Sequence, residues 1–92
     1  MTVLYFDGCP NFELARDRAS SALRVAGSTE AVGLQRIESF EEAELAGFAG
    51  SPTILIDGED RSPGAGEIAM ACRLYDGDHA PSVDSIVEAL RR

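Results

Sequence analysis

Apolar positions along the chain follow two patterns, short continuous runs and longer segments with apolar residues at helical spacing. Continuous runs that contain β-branched and aromatic side chains are typical of strands buried on both faces. The clearest are Thr2–Phe6 and Thr53–Ile56, each closed by an Asp-Gly pair that favours a turn. Similar but less regular patterns cover Val32–Glu38 and Ile68–Tyr75. The sequence therefore predicts four strands.

Three segments carry the signals of helices. Pro10 suits a first helical position, where its missing N–H costs nothing. Ser39 and Ser82 suit N-caps, and Ser39 opens an S-x-x-E capping box. Gly27 and Gly47 are stop signals. The predicted helices cover Pro10–Ala26, a short segment from Ser39 to Gly47, and a terminal segment in which Val83, Ile86, Val87 and Leu90 share one face.

The predicted order is β-α-β-α-β-β-α, with a polar loop over residues 59–66 between the last two strands. Strands that alternate with helices favour a parallel pair, and two consecutive strands favour a hairpin. A chain of 92 residues has room for one domain, so we expect a single α/β domain over residues 1–92.

Composition narrows the function classes. The chain carries 16 acidic residues against eight arginines and no lysine, a net charge of −8. It has no basic stripe for phosphates, so we expect neither nucleic acid nor an anionic membrane as a partner. No apolar run approaches the ~20 residues of a membrane span, and no basic-then-apolar secretory pattern is present. Two cysteines in such a chain favour free thiols, redox-active thiols or metal ligands in a reducing cytoplasm over a structural disulfide.

Two motifs carry a resemblance to a known fold. A Phe6–Pro10 block places Cys-Pro at the first strand–helix junction, and a Gly50–Gly58 block places a Pro before an apolar strand. The chain resembles, over nearly its whole length, small bacterial thioredoxin-like proteins of the thioredoxin/glutaredoxin fold, some of which carry an alkylmercury lyase label. In that group a Gly-Ser-Pro-Thr block and a Cys-Arg-Leu-Tyr block, present here too, recur together.

The resemblance implies a minimal thioredoxin-like fold, with a four-stranded mixed sheet in the order 2-1-3-4 and helices on both faces. It implies a cis bond at Ser51–Pro52 and makes Cys9 the catalytic thiol. Pro10, Ser51, Pro52 and Thr53 then form the substrate-binding surroundings, and the Ser51 backbone is free to pair with an extended peptide. No bound cofactor or metal is expected.

The chain departs from the dithiol pattern of thioredoxins. The motif reads Cys9-Pro10-Asn11-Phe12, so Phe12 stands where a resolving cysteine is usual. A helix N-terminus stabilises a thiolate, whereas the nearby Asp7 carboxylate opposes it. These residues favour a single reactive thiol at Cys9.

Cys72 is the second thiol. In the sheet order 2-1-3-4 it would lie two strands from Cys9, roughly 9.6 Å across the sheet and about 10 Å along the strand. A disulfide needs Cα atoms within about 7 Å, so we expect no Cys9–Cys72 bridge and interpret Cys72 as a small buried core residue.

Three functions remain open at this stage. The first is thiol–disulfide exchange through Cys9 alone, with a disulfide-bearing protein or a low-molecular-weight thiol as partner. The second is handling of a soft metal or an organomercurial, using Cys9 with or without Cys72 as a second ligand, and Asp7 as proton donor. The third is a peptide-binding module without chemistry. The substrate, the reductant and the oligomeric state are left open.

Overall fold

The computed structural model describes residues 1–62, 68–75 and 77–91, a mixed α/β arrangement of three helices and two small sheets. Within these ranges no helix has the length and apolar character needed to cross a membrane. The predicted polar loop over residues 59–66 lies partly outside the described residues. In chain order the elements are β1 (Thr2–Tyr5), α1 (Phe12–Val25), β2 (Gly33–Arg36), α2 (Phe40–Ala46), β3 (Ala49–Ser51), β4 (Thr53–Ile56), β5 (Glu59–Asp60), β6 (Ala69–Cys72) and α3 (Val83–Leu90).

The larger sheet has four strands in the order β2-β1-β4-β5. β1 runs parallel to β2, with Val3 opposite Leu34, and antiparallel to β4, with Val3 opposite Ile54. The first three predicted strands therefore lie next to one another in the order that the resemblance implied. The C-terminal end of β1 and the start of β4 meet at the same end of the sheet, which brings the Cys9 and Pro52 segments together.

The fourth strand of this sheet was predicted wrongly. The edge beside β4 is occupied by β5, with Leu55 opposite Asp60, and not by the segment from Ile68 to Tyr75. Asp57 and Gly58 both have positive φ values, 52° and 80°, as in the tightest two-residue hairpin turns. The chain therefore folds back at once, and the first two residues of the predicted loop become the edge strand.

The segment predicted as the fourth strand instead forms β6, which pairs with β3 in a separate two-stranded sheet. The strand β3 was not predicted, because the sequence Gly-Ser-Pro at its end indicates a break. The two strands are parallel, and Ser51 lies opposite Cys72. The Arg73 N–H donates to the Ser51 carbonyl at 2.9 Å. Gly50, at φ 112°, permits this approach, because a Cβ there would lie only 2.9 Å from the Arg73 Cβ. The pairing thus depends on the absence of a side chain at one position.

Side chains of the central strands alternate between two apolar layers. Val3 and Ile54 face α1 and α3, where alanines of α1 allow close packing, whereas Leu4 faces α2 and packs in the cluster of Phe48. The helices therefore cover both faces of the sheet, as predicted. Leu4 and Phe48 have no exposed surface and lie at the centre of this second layer. Met70 of β6 packs against the same layer.

Helix starts follow the capping signals with one exception. The Ser39 and Ser82 hydroxyls each accept from a backbone N–H three residues later, at 3.1 Å. Helix α1 begins at Phe12 with Asn11 as N-cap, so the prediction of Pro10 as first helical residue is wrong. The Cys9 N–H bonds back to the Phe6 carbonyl at 3.3 Å, which holds this stretch in a turn before the helix can begin.

Candidate functional site

The two cysteines, 63 residues apart in sequence, meet in the structure. The Cys72 Sγ lies 3.2 Å from the Cys9 Sγ, placed so that the Cys72 thiol donates to the Cys9 sulfur. A disulfide bond is about 2.05 Å long, so the sulfurs need to approach by only about 1 Å to become bonded. The prediction that the two thiols are far apart is wrong.

The error has a defined structural origin. The prediction placed Cys72 on a strand beside β4, two strands away from β1. Because β6 pairs with β3 instead, Cys72 lies opposite Ser51, the residue whose carbonyl also faces Cys9. The prediction of Cys72 as a buried core residue is wrong as well, since Cys72 is exposed.

The Ser51–Pro52 segment forms the buried side of the site and contacts the Cys9 thiol. The peptide bond between these residues is cis, as predicted. The Cys9 thiol lies 3.6 Å from the Ser51 carbonyl oxygen, in position to donate to it. In the fully protonated pair, Cys72 therefore donates to Cys9 and Cys9 donates to Ser51.

Hydrogen bonds decide the ionisation of the two thiols. Burial alone would raise the pKa of Cys9, but donors from the Ser51 side chain, the Asn11 N–H and Cys72 outweigh it and lower the pKa below that of an ordinary thiol. The Ser51 hydroxyl is buried and has no hydrogen-bond partner among the described residues, so it is free to turn toward Cys9 and donate to a thiolate there. The residue at the start of α1, Asn11, thus lowers the pKa of Cys9 through both its backbone N–H and its side chain.

Cys72 responds in the opposite direction. Its hydrogen bond to Cys9, followed by burial and the charge of a Cys9 thiolate, raises the pKa of Cys72. The first proton leaves Cys9 readily, and the second is retained on Cys72 because two adjacent thiolates repel. The stable ionised form is therefore a Cys9 thiolate that accepts a hydrogen bond from the Cys72 thiol.

Access to the two sulfurs also differs. Cys9 is 3% exposed, whereas Cys72 is an exposed residue on the outer strand. The thiol with the lowered pKa is thus the one that solvent barely reaches. A reagent that arrives from outside meets Cys72 first.

A buried ionic cluster fixes the strand that carries Cys72. The next residue, Arg73, lies 8% exposed and places Nη1 2.6 Å from the Asp60 carboxylate and 3.4 Å from the Thr53 hydroxyl. The Arg73 guanidinium also stacks on the Tyr75 ring at 4.7 Å. The Tyr75 hydroxyl donates to the Pro52 carbonyl, and burial raises its pKa, so this donor stays protonated. The cluster joins the end of β6 to the segment beneath Cys9.

The sequence-based predictions gave no role to Gly50, Asp60, Arg73 and Tyr75. Three of them belong to the Gly-Ser-Pro-Thr and Cys-Arg-Leu-Tyr blocks that carry the resemblance, and Arg73 directly follows the Ala-Met-Ala-Cys strand. An arginine at the end of a mostly apolar strand needs a buried acid if it packs inward. The sequence does not indicate which of 16 acids supplies the carboxylate.

The substrate-binding residues predicted from the resemblance lie differently exposed. Pro10 is on the surface beside Cys9, whereas Ser51, Pro52 and Thr53 are buried. The Ser51 carbonyl already accepts from Arg73, and the Thr53 hydroxyl donates to the Gly50 carbonyl at 2.6 Å. An extended peptide could pair with Ser51 only by displacing β6. In this arrangement the segment positions Cys9 and is closed to an incoming peptide.

Charges around the pair leave little to attract an anion. Arg73 is engaged by Asp60, and Arg36, at the end of β2, is bonded to Glu38. Arg36 and Glu38, with Asp7, line a cavity of about 300 Å³ at the ends of β1 and β2. These surroundings favour a neutral or cationic partner over an anionic one.

No protein-family model, curated protein or solved structure matches the chain.

The candidate site is a pair of unbonded thiols that differ in pKa and in exposure to solvent. It is held between a cis-proline segment and a strand anchored by a buried ion pair. Such a pair can pass between dithiol and disulfide without large movement of the backbone.

Proposed function

We propose that this protein is a thioredoxin-like thiol–disulfide exchange protein whose redox pair is Cys9 and Cys72. The observation that carries the proposal is the 3.2 Å separation of the two sulfurs. The absence of a cysteine at Phe12 then has a simple explanation, because Cys72 supplies the second thiol of the pair from another strand. The single-thiol form of the sequence-based hypothesis is replaced by a dithiol form.

Thiol–disulfide exchange between this cysteine pair and a partner disulfide proceeds in two steps. A protein thiolate attacks the disulfide RS–SR, forms a mixed disulfide and releases RS⁻, which takes up a proton. The second protein thiol, as thiolate, attacks the bonded protein sulfur and releases the second RS⁻. The protein loses two hydrogens to become the Cys9–Cys72 disulfide, and the partner is reduced to two thiols. An external dithiol or two thiols reverse the reaction.

The thioredoxin-like part of the proposal is supported by the order of the elements and by the cis bond before β4. The parallel β1–β2 pair and antiparallel β1–β4 pair belong to the same arrangement. The edge strand β5 and the β3–β6 sheet are departures from the expected order 2-1-3-4, and the second of these departures creates the thiol pair.

The partner we propose is a disulfide-bearing protein or a low-molecular-weight disulfide that is neutral or cationic near its sulfurs. The setting is a reducing compartment such as the cytoplasm, where a dithiol pair can be regenerated. The paired state of Arg36 and Arg73 supports this choice over anionic thiols.

A second candidate, binding of a soft metal ion, is favoured by the same convergence of two thiols. Two sulfurs would suit a linear, two-coordinate ion. Within residues 1–62, 68–75 and 77–91, no cluster of three or more Cys, His, Asp or Glu side chains could hold a metal ion. Competition for Cu(I) against a colorimetric chelator tests this candidate, and retention of one Cu(I) per protein that is lost in Cys72→Ser would support it.

Equilibration with glutathione redox buffers tests the main proposal. Acid-quenched samples are analysed by mass for the fraction of internal disulfide. The wild type should convert between dithiol and internal disulfide in a two-electron transition, whereas Cys9→Ser and Cys72→Ser should give glutathione adducts only. A wild type that accumulates only such adducts, or stays reduced in the most oxidising buffers, would refute the proposal.

A further inference from the structure

The two sulfurs of the pair are placed differently toward solvent, and this difference assigns them separate roles. Cys9 is 3% exposed and lies beneath Cys72, between the Ser51 carbonyl and the start of α1. Cys72 is exposed at the end of an outer strand. Exchange requires the attacking sulfur, the attacked sulfur and the leaving sulfur to lie nearly in line, so a buried sulfur is a poor site for an external partner.

We infer that Cys72 is the sulfur that forms the mixed disulfide with the external partner, and that buried Cys9 acts first as its internal base and then as the resolving thiol. The inference rests on the proposed dithiol function and reverses the assignment that the resemblance implied, in which Cys9 meets the substrate.

The hydrogen bond between the sulfurs supplies the first step. The Cys72 thiol donates to the Cys9 sulfur across 3.2 Å, so a proton can pass from Cys72 to a Cys9 thiolate. The Cys72 thiolate formed in this way is the more basic of the two and therefore the stronger intrinsic nucleophile. It attacks RS–SR, forms Cys72–S–S–R and releases RS⁻.

Resolution follows from the same geometry. The Cys9 thiol gives its proton to the released RS⁻ or to water and becomes a thiolate, stabilised by the Asn11 N–H and the Ser51 side chain. This thiolate attacks the Cys72 sulfur and displaces the second RS⁻, which closes the internal disulfide. In the reverse direction an external thiolate attacks Cys72, and Cys9 leaves, because the thiol with the lower pKa is the better leaving group.

The test compares single-thiol proteins in their reaction with 4,4′-dithiodipyridine, a neutral disulfide whose released thione is coloured. Cys9→Ser retains Cys72, and Cys72→Ser retains Cys9. The reference is a chain with both substitutions and Leu45→Cys, since Leu45 is 85% exposed on α2. Circular dichroism establishes that each variant is folded.

Rates at neutral pH separate the two assignments. Cys72 in Cys9→Ser should react within about threefold of the reference thiol, and Cys9 in Cys72→Ser should react at least about tenfold more slowly despite its lowered pKa. A Cys9 that reacts as fast as the reference, or faster, would overturn the inference.

The wild type provides a second measurement that does not depend on variants. Brief treatment of the reduced protein with N-ethylmaleimide, followed by peptide mapping, should label Cys72 before Cys9; the opposite order would also overturn the inference. Prolonged reaction of the wild type with the dipyridyl disulfide should release two thiones and leave no pyridyl adduct. Persistent adducts on both cysteines would instead refute the proposed dithiol function itself.

Discussion

Replacement of Gly50 by alanine tests the contact that brings Cys72 to Cys9. Gly50 has a φ of 112°, and a methyl group there would lie 2.9 Å from the Arg73 Cβ and 3.1 Å from the Ala71 carbonyl oxygen. Neither neighbour is the free end of a flexible side chain. Since carbon atoms pack at about 3.5–4.0 Å, β6 must move away from β3 by at least about 0.6 Å.

The cost of Gly50→Ala has two parts. Holding alanine at this φ costs about 1–3 kcal/mol, and forcing a methyl group into a packed contact costs about 1–3 kcal/mol more. The matched control is Gly47→Ala, because Gly47 also has positive φ, 69°, but nothing lies within 4 Å of its Cβ position. The control should lose only about 1–2 kcal/mol. The difference between the two variants, about 1–4 kcal/mol, reflects the crowded contact of β6 with β3 together with the less favourable φ at Gly50.

Urea denaturation of the reduced proteins, followed by circular dichroism, gives the two free energies of unfolding. Glutathione equilibration gives the second readout. A displaced β6 should weaken the internal disulfide by about 1 kcal/mol in Gly50→Ala, a potential shift of about 20 mV, and leave it unchanged in Gly47→Ala. Equal losses of stability in the two variants, with equal potentials, would refute the reasoning.

Three further predictions concern the ion pair, the thiols and a helix cap. Arg73→Met leaves Asp60 buried without its cation, since these side chains are 7% and 10% exposed, and should cost about 3–5 kcal/mol in urea denaturation. The lowered pKa of Cys9 contributes stability that is lost as pH falls through its folded value, and the raised pKa of Cys72 contributes stability that is lost as pH rises above the unfolded value. The unfolding free energy of reduced wild type relative to Cys9→Ala should therefore rise toward pH of about 8.5 and fall beyond it, and a flat difference would contradict this. Ser82→Ala removes the N-cap of α3 and should cost about 1 kcal/mol in thermal or urea unfolding without altering the thiol potential.

Local sequence patterns predicted the elements whose formation depends on nearby residues. The Ser39 and Ser82 caps, the apolar run of β4 and the apolar face of α3 each lie within a few residues, and each is found in the structure. The resemblance also predicted the cis bond at Ser51–Pro52 correctly.

The partner of β6 could not be predicted in this way, because the residues that choose it are distant in sequence. Gly50 and Arg73 are 23 positions apart, and Asp60 and Arg73 are 13 apart. The pattern from Ile68 to Tyr75 indicates a strand, and an adjacent strand in the chain is the usual neighbour. Here the short β5 occupies that edge, so β6 pairs with β3 and brings Cys72 to Cys9.

The central claim is that Cys9 and Cys72 form a reversible internal disulfide, and peptide mapping of the oxidised protein tests it most directly. Because the chain has arginine but no lysine, trypsin should place Cys9 in residues 1–16 and Cys72 in residues 62–73. After oxidation of dilute protein and digestion without reductant, the account predicts these two peptides joined as one species that separates on reduction. Recovery of both as unlinked peptides, or a link found only between separate chains, would contradict it.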